Sequence, residues 1–421
     1  MQVKRSSWVP AWFRWSLAPP EASSIERRNF INVQGDGIGV GMFGGADPFL
    51  AVFLVRLGAS NLQVGLLTSM PAVIGLLMAV VASRFLQRQR NVAPWYSRVR
   101  AVQGIAYALT GLVTLAVPAQ HAVSVLLGIW AVVAFPQTIA AITFSMVMNA
   151  VAGTNGRYEL LSRRWSVMGL TTAVTLFFAG QLLARLSYPY NYQTVFILLS
   201  SGGLISMYFS RQLVIPDIEL PPPAPYTPLL LRLRSTWLDI YANSRFVSFI
   251  RMRFVFLSGI ALATPIMPLY FLREAHFNEA AISFIGTAHT LALVIGYGLW
   301  ARIARVKSAR LLLLSTTLGL ALHPLLVAST VNLGALVLLG GLAGWFQAGL
   351  DLVFFDEMMK SVPSGHPEIF LAVSQISIYV ALIGAPLLGT MLANFIGLGG
   401  TLWVSAGLCS LSFLMFLGDS N

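Results

Sequence analysis

Two carboxylates stand where water is scarce. Asp47 and Asp351 each interrupt a long apolar run. A charge near the centre of a bilayer costs at least about 2.5 to 3.5 kcal/mol, so each acid must face a cavity or a partner. A carboxylate so placed can bind a cation, accept hydrogen bonds from a polar solute or carry a coupling proton. Gln347 lies four residues before Asp351 and therefore on the same helical face. Gln137 and Asn149, in a separate apolar run, add uncharged hydrogen-bonding groups, and His289 supplies a side chain that can titrate near neutral pH. Packing is the plain alternative for each of these uncharged groups. Asp36 precedes Asp47 by about three helical turns, so both fall on one stripe with Asn29 and Asn32. That stripe is expected to be wet. Asp36 lies nearer the end of its run, where a gate residue or a structural carboxylate would sit.

Other chemistries lack their residues. Neither H-E-x-x-H nor G-x-S-x-G occurs and the five histidines are scattered, so no hydrolytic site is expected and the chain is read as a non-enzyme. The single cysteine, Cys409, makes neither a disulfide framework nor a thiolate metal site. No phosphate-binding loop of the form G-x-x-x-x-G-K-[ST] is present. Gly39, Gly41 and Gly44 match G-x-G-x-x-G, but inside an apolar helix rather than after a strand. No metal and no cofactor are expected.

The elements that hold these residues must be membrane spans. Hydrophobic residues make up 57% of the chain and charged ones 10%, with a mean hydropathy of +0.75, too apolar for a water-soluble globule. Apolar stretches fall at 31–55, 61–83, 98–118, 122–151, 165–186, 191–210, 252–272, 279–300, 310–329, 332–358, 369–395 and 399–417, each long enough to cross a bilayer. Between the sixth and seventh lie Pro221, Pro222, Pro223, Pro225 and Pro228, which cannot continue a helix. The expected organisation is a cytoplasmic segment 1–28 with Trp8, Trp12 and Trp15 suited to the interface, a six-helix bundle 29–210, a cytoplasmic proline-rich linker 211–245 and a second bundle 246–421. Placing both termini in the cytoplasm leaves only Arg56, Arg185 and Arg273, of 27 basic residues, on the far side. The net charge of +12 is then topology rather than a nucleic-acid surface.

The halves repeat. Pro48, Arg56 and Asn61 recur as Pro265, Arg273 and Asn278 at an offset of 217, and Phe135, Gln137 and Phe144 align with Trp345, Gln347 and Phe354 at an offset of 210. The first offset sets Arg253 opposite Asp36 across the implied two-fold, a possible ion pair at a cytoplasmic gate; simple snorkelling of Arg253 is the alternative. Gly37, Gly41 and Gly45, spaced by four, suit close helix packing. The fold expected is all-α and integral to the membrane, with twelve transmembrane helices in two pseudo-symmetric six-helix bundles.

In span number, central linker and short outer loops the chain resembles the major facilitator superfamily over its whole length. Ser83, Arg84, Phe85, Leu86, Gln87 and Arg88 are similar to that family's loop between the second and third helices, with the basic positions and without its aspartate. Ala301, Arg302, Ile303, Ala304 and Arg305 stand at the equivalent turn of the second half. The run Gly384, Ala385, Pro386, Leu387, Leu388, Gly389 resembles a family packing element, and Glu159 with Arg163 a charged cytoplasmic turn. The resemblance implies gate roles for Arg84, Arg302, Glu159 and Arg163 and packing roles for Gly384, Pro386 and Gly389. It also implies a secondary transporter in the cell (inner) membrane. Such a protein moves a small solute by alternating access under an ion or proton gradient, with the lipid bilayer, the solute and a proton as its partners and a monomer as its state. The second reading is a non-transporting relative that serves as an assembly or pigment-delivery factor.

Overall fold

The computed structural model describes residues 23–152, 157–215, 240–241, 243–362 and 367–419; Trp8, Trp12, Trp15 and the proline-rich segment lie outside them, as do the side chains of Asn149 and Glu159. Helices dominate the described residues. The first six spans are Ser24–Arg56, Asn61–Gln87, Ala93–Ala116, Ala119–Ala152, Arg157–Arg185 and Tyr190–Arg211. The seventh is built from Ser244–Ala263 and Ile266–Arg273, and the eighth to tenth are Glu279–Ile303, Ala309–Ala328 and Leu333–Ser361. The last helix, Pro367–Gly418, has 52 residues. That is roughly twice what a bilayer needs at about 1.5 Å per residue. Gly397 breaks it with a positive φ of 76°, which a residue without Cβ adopts freely. The two pieces are the eleventh and twelfth spans.

Local signals set the helix ends. Ser23 and Ser60 form reciprocal capping boxes with Glu26 and Gln63. Asn243, Asn278, Ser308 and Asn332 cap later spans through their side chains. The repeated proline has two outcomes. Pro48 stays inside the first helix, whereas Pro265 separates the two pieces of the seventh. At both places a backbone donor is lost near the middle of a span, and the helix wall is weakened there.

Packing is two-fold symmetric. In the first half, span one lies against five and six, three against four and six, and two against four. The second half repeats this: span seven meets eleven and twelve, ten meets eight and nine, and nine meets twelve. The halves join along two seams, five against eight and two against eleven, which the same two-fold exchanges. Close approaches depend on missing side chains. A Cβ on Gly39 would lie 2.2 Å from the Gly202 carbonyl of span six, and Cβ atoms on Gly41 and Gly45 would lie 2.6 and 2.7 Å from span five. Gly37 is looser, 3.3 Å from Arg164, and Gly389 meets the Leu262 carbonyl at 2.6 Å. Pro386 offers its carbonyl 3.4 Å from the corresponding point on Gly65, along the seam of two and eleven. Gly384 is different from the expected packing residue, because a Cβ there meets nothing within 4 Å.

Outward faces are apolar, as lipid contact demands: Val132 is 74% exposed and Phe395 86%. With an even number of spans both described ends lie on one face. There Asn29 bonds Val214 at the end of the sixth span, and Ser248 of the seventh bonds Asp419. This is called the terminal face below.

Candidate functional site

A chamber of about 500 Å³ lies between the halves, within the range of small-molecule sites. Both halves line it: Asp47, Leu67, Trp130 and Gln137 from the first, Met267, Phe271, His289 and His323 from the second. Pro48, Pro71 and Pro268 border it too, so the weakened stretches of three helices converge on the same space. Asp47 is exposed although it sits in the middle of a span. The centre of the molecule is therefore not a dry leucine plug.

One carboxylate oxygen of Asp47 accepts a short hydrogen bond from Tyr107 Oη, its partner among the described residues. Tyr107 is held in turn. It stacks on Phe43 at 4.8 Å, meets Trp130 edge-on at 5.0 Å, and Trp130 Nε1 donates to Thr110 at 3.2 Å. Stacked and edge-on rings of this kind hold one another in place. A rigid aromatic wall thus aims an acid into a chamber whose lining is mostly apolar. Such an acid can take a proton, a cationic group or a hydroxyl donor from a solute.

Asp36 occupies the same stripe but a different environment. It is 0% exposed and accepts from Tyr96 Oη at 2.6 Å, from Ser206 Oγ, and from Arg164 Nη2 at 3.0 Å. Arg100 Nε lies 3.5 Å away. The expected partner Arg253 is not there. It donates to Ser374 at 2.9 Å and lies over Phe354 at 5.6 Å, so the offset of 217 matches the two helices without bringing Asp36 and Arg253 together. Each half closes its own network instead. Asn29 and Asn32 are likewise dry, bonding the end of span six at Val214 and Gln212. Of the stripe expected to be wet, Asp47 alone reaches the chamber.

Asp351 stands apart from the chamber and is exposed. Tyr297 Oη donates to it at 2.6 Å and Gln347 at 2.7 Å. Lys360 pairs with Asp356 and Glu357 at the terminal face. Arg84 and Arg302 are exposed there, and Arg163 is half-buried.

Several residues join the site without having been picked out by sequence. Tyr96 and Tyr107 have the same separation on span three as Asp36 and Asp47 on span one, so the two neighbouring helices form two acid–tyrosine rungs. At the end opposite the termini, five hydrogen bonds among the described residues cross between halves. Arg56 Nε donates to Glu279 at 2.8 Å, and Tyr192 Oη donates to the same oxygen at 2.7 Å. Reciprocally, Arg273 donates to Asn61 at 2.6 Å and to the Ala59 carbonyl at 2.7 Å, and Asn61 donates to Asn394 at 2.8 Å. The repeat explains this geometry. Equivalent arginines at the ends of spans one and seven each reach the first residue of the opposite half's next helix.

No family model and no curated protein matches the chain. Solved structures do. The nucleoside transporter NupG aligns with a TM-score of 0.68 at 12% identity, over 94% of this chain and 98% of its own. A mutant of that transporter gives 0.68 at 11%, over 94% and 100%. The human organic anion transporter MFSD10 (TETRAN) gives 0.61 at 15%, over 94% and 100%. At these identities the likeness establishes the fold, which is that of the major facilitator transporters.

Proposed function

From a chain with the major facilitator fold, we propose a secondary transporter that carries a small solute through the chamber at Asp47 by alternating access. The observation that carries this reading is the chamber itself: it lies at the interface of two repeats, contains an exposed acid, and has a hydrogen-bonded closure on one side. In a two-repeat transporter, rocking of the halves about a central site exposes that site to each face in turn. The bridges of Arg56 with Glu279 and Arg273 with Asn61 would hold one side shut and part when the halves rock. Asp47, His289 and His323 are the candidates for proton coupling or solute binding, with Gln137 as a neutral partner. The basic bias of the sequence supports a cytoplasmic terminal face in a chain that crosses the cell membrane.

The test is solute uptake by the purified protein in proteoliposomes, with and without an imposed pH gradient. A transported solute is expected to emerge from such a screen. Asp47→Asn is expected to lower its rate by about 10- to 100-fold, the cost of a lost charge-assisted hydrogen bond. Undiminished uptake by Asp47→Asn would remove the acid from the mechanism. No uptake of any solute would favour a partner-binding role.

A further inference from the structure

A second cavity of about 310 Å³, lined by Arg100, Gln103, Phe144 and Arg164, shares Gln137 with the central chamber. The two spaces are thus neighbours along one wall of the first half. The charges of this vestibule do not balance. Arg100 is 7% exposed and Arg164 3%, and the acid that meets both is Asp36, leaving one guanidinium charge uncompensated among the described residues. A buried charge without a counterion is costly in a membrane interior, so an anion bound here would be strongly favoured.

The donors are also incompletely used. Arg100 gives Nη1 to Gln103 Oε1 at 2.9 Å and Nη2 to Tyr96 Oη at 3.0 Å, while its buried Nε makes no hydrogen bond. Arg164 commits Nε and Nη2 to Asp36, and its Nη1 meets only the Met168 sulfur at 3.8 Å. Its guanidinium lies over the Phe144 ring at 4.6 Å, a packing that fixes the plane and leaves the edge to donate. The second half offers an instructive contrast. There the equivalent Phe354 also carries an arginine, Arg253, and the acid whose charge it feels, Asp351, has no second arginine beside it among the described residues.

We propose that Arg100 and Arg164 form a subsite for the carboxylate or phosphate group of a small organic anion, next to the chamber at Asp47. It rests on the transporter reading for the solute's destination, not for the binding itself.

Binding is tested on the full-length protein in phosphatidylcholine nanodiscs by thermal unfolding at constant ionic strength. Sodium benzoate, benzamide and inorganic phosphate serve as probes. Benzoate and phosphate are expected to raise Tm saturably and benzamide to leave it unchanged, since a ligand that binds the folded state stabilises it by mass action. Arg100→Gln should weaken benzoate by about 10- to 100-fold. Should that variant not fold, Gln103→Glu decides: it supplies the missing negative charge in place, so it should raise the ligand-free Tm and abolish the response to both anions. Arg90→Gln, on the exposed surface, should respond like the native protein. An equal response to benzoate and benzamide, or a full anion response in Gln103→Glu, would overturn the assignment. So would stabilisation by added phosphatidylglycerol with no response to benzoate or phosphate, which would give the site to a lipid headgroup. Because no transport is measured, failed binding leaves the uptake result standing and failed uptake leaves this one.

Discussion

Asp36 and Asp47 have the same side chain, the same helix and nearly the same angular position, yet one is locked and the other open. The difference comes from their neighbours: two arginines, a tyrosine and a serine around Asp36, one tyrosine and a chamber beside Asp47. Removing one partner of a buried ion pair leaves an uncompensated charge and costs about 3 to 5 kcal/mol. Asp36→Asn is therefore expected to lower the unfolding midpoint sharply in detergent, while Asp47→Asn leaves it nearly unchanged. A stable Asp36→Asn protein would show that the arginine network does not hold the first half together. Sequence could show that both acids needed an answer to the cost of burial, but not which answer. That depends on Arg100 and Arg164, both distant from Asp36 in the chain. The matching spacing of Tyr96 and Tyr107 was the available signal, and it carries meaning only once spans one and three are known to run side by side.

At the level of helices, spacing was legible and contact was not. Apolar runs located the spans because each must satisfy its own backbone in lipid. The four-residue glycine repeat picks out one face of span one, yet the tightest approach on that helix, Gly39 against Gly202, belongs to a residue that the sequence sets only in a dinucleotide-like pattern. Gly384 shows the converse, a motif glycine in open space. Gly39→Ala should cost about 1 to 3 kcal/mol through overpacking. Gly384→Ala should stay within about 1 kcal/mol, on the stabilising side, because alanine is the better helix former. Thermal unfolding of the two variants in parallel checks the contrast, and equal losses would contradict the packing described here. The internal repeat predicted a shared architecture. It did not predict the cross-half bridges, because an offset of 217 relates equivalent positions and says nothing about which of them touch.

For the molecule as a whole, the structure combines a chamber between two repeats with a closure at the end away from the termini. The closure is polar and reciprocal, so it is expected to be reversible: Glu279→Gln with Arg273→Gln removes one charged partner from each bridge and should favour opening on that side. The account's central claim is that Asp47's chamber communicates with one face while these bridges hold and with the other when they part. Cys409 is the single cysteine and is buried, so after Cys409→Ser a reporter cysteine can be placed at Thr264, an exposed residue of the chamber wall. The decisive measurement is the rate at which a membrane-impermeant maleimide modifies that cysteine from each side, in vesicles of both orientations. The account predicts modification chiefly from the terminal face in the native background, and a severalfold gain from the opposite face when Glu279→Gln and Arg273→Gln are added. A cysteine that reacts from neither face, or whose rate from the opposite face ignores the two substitutions, would contradict it.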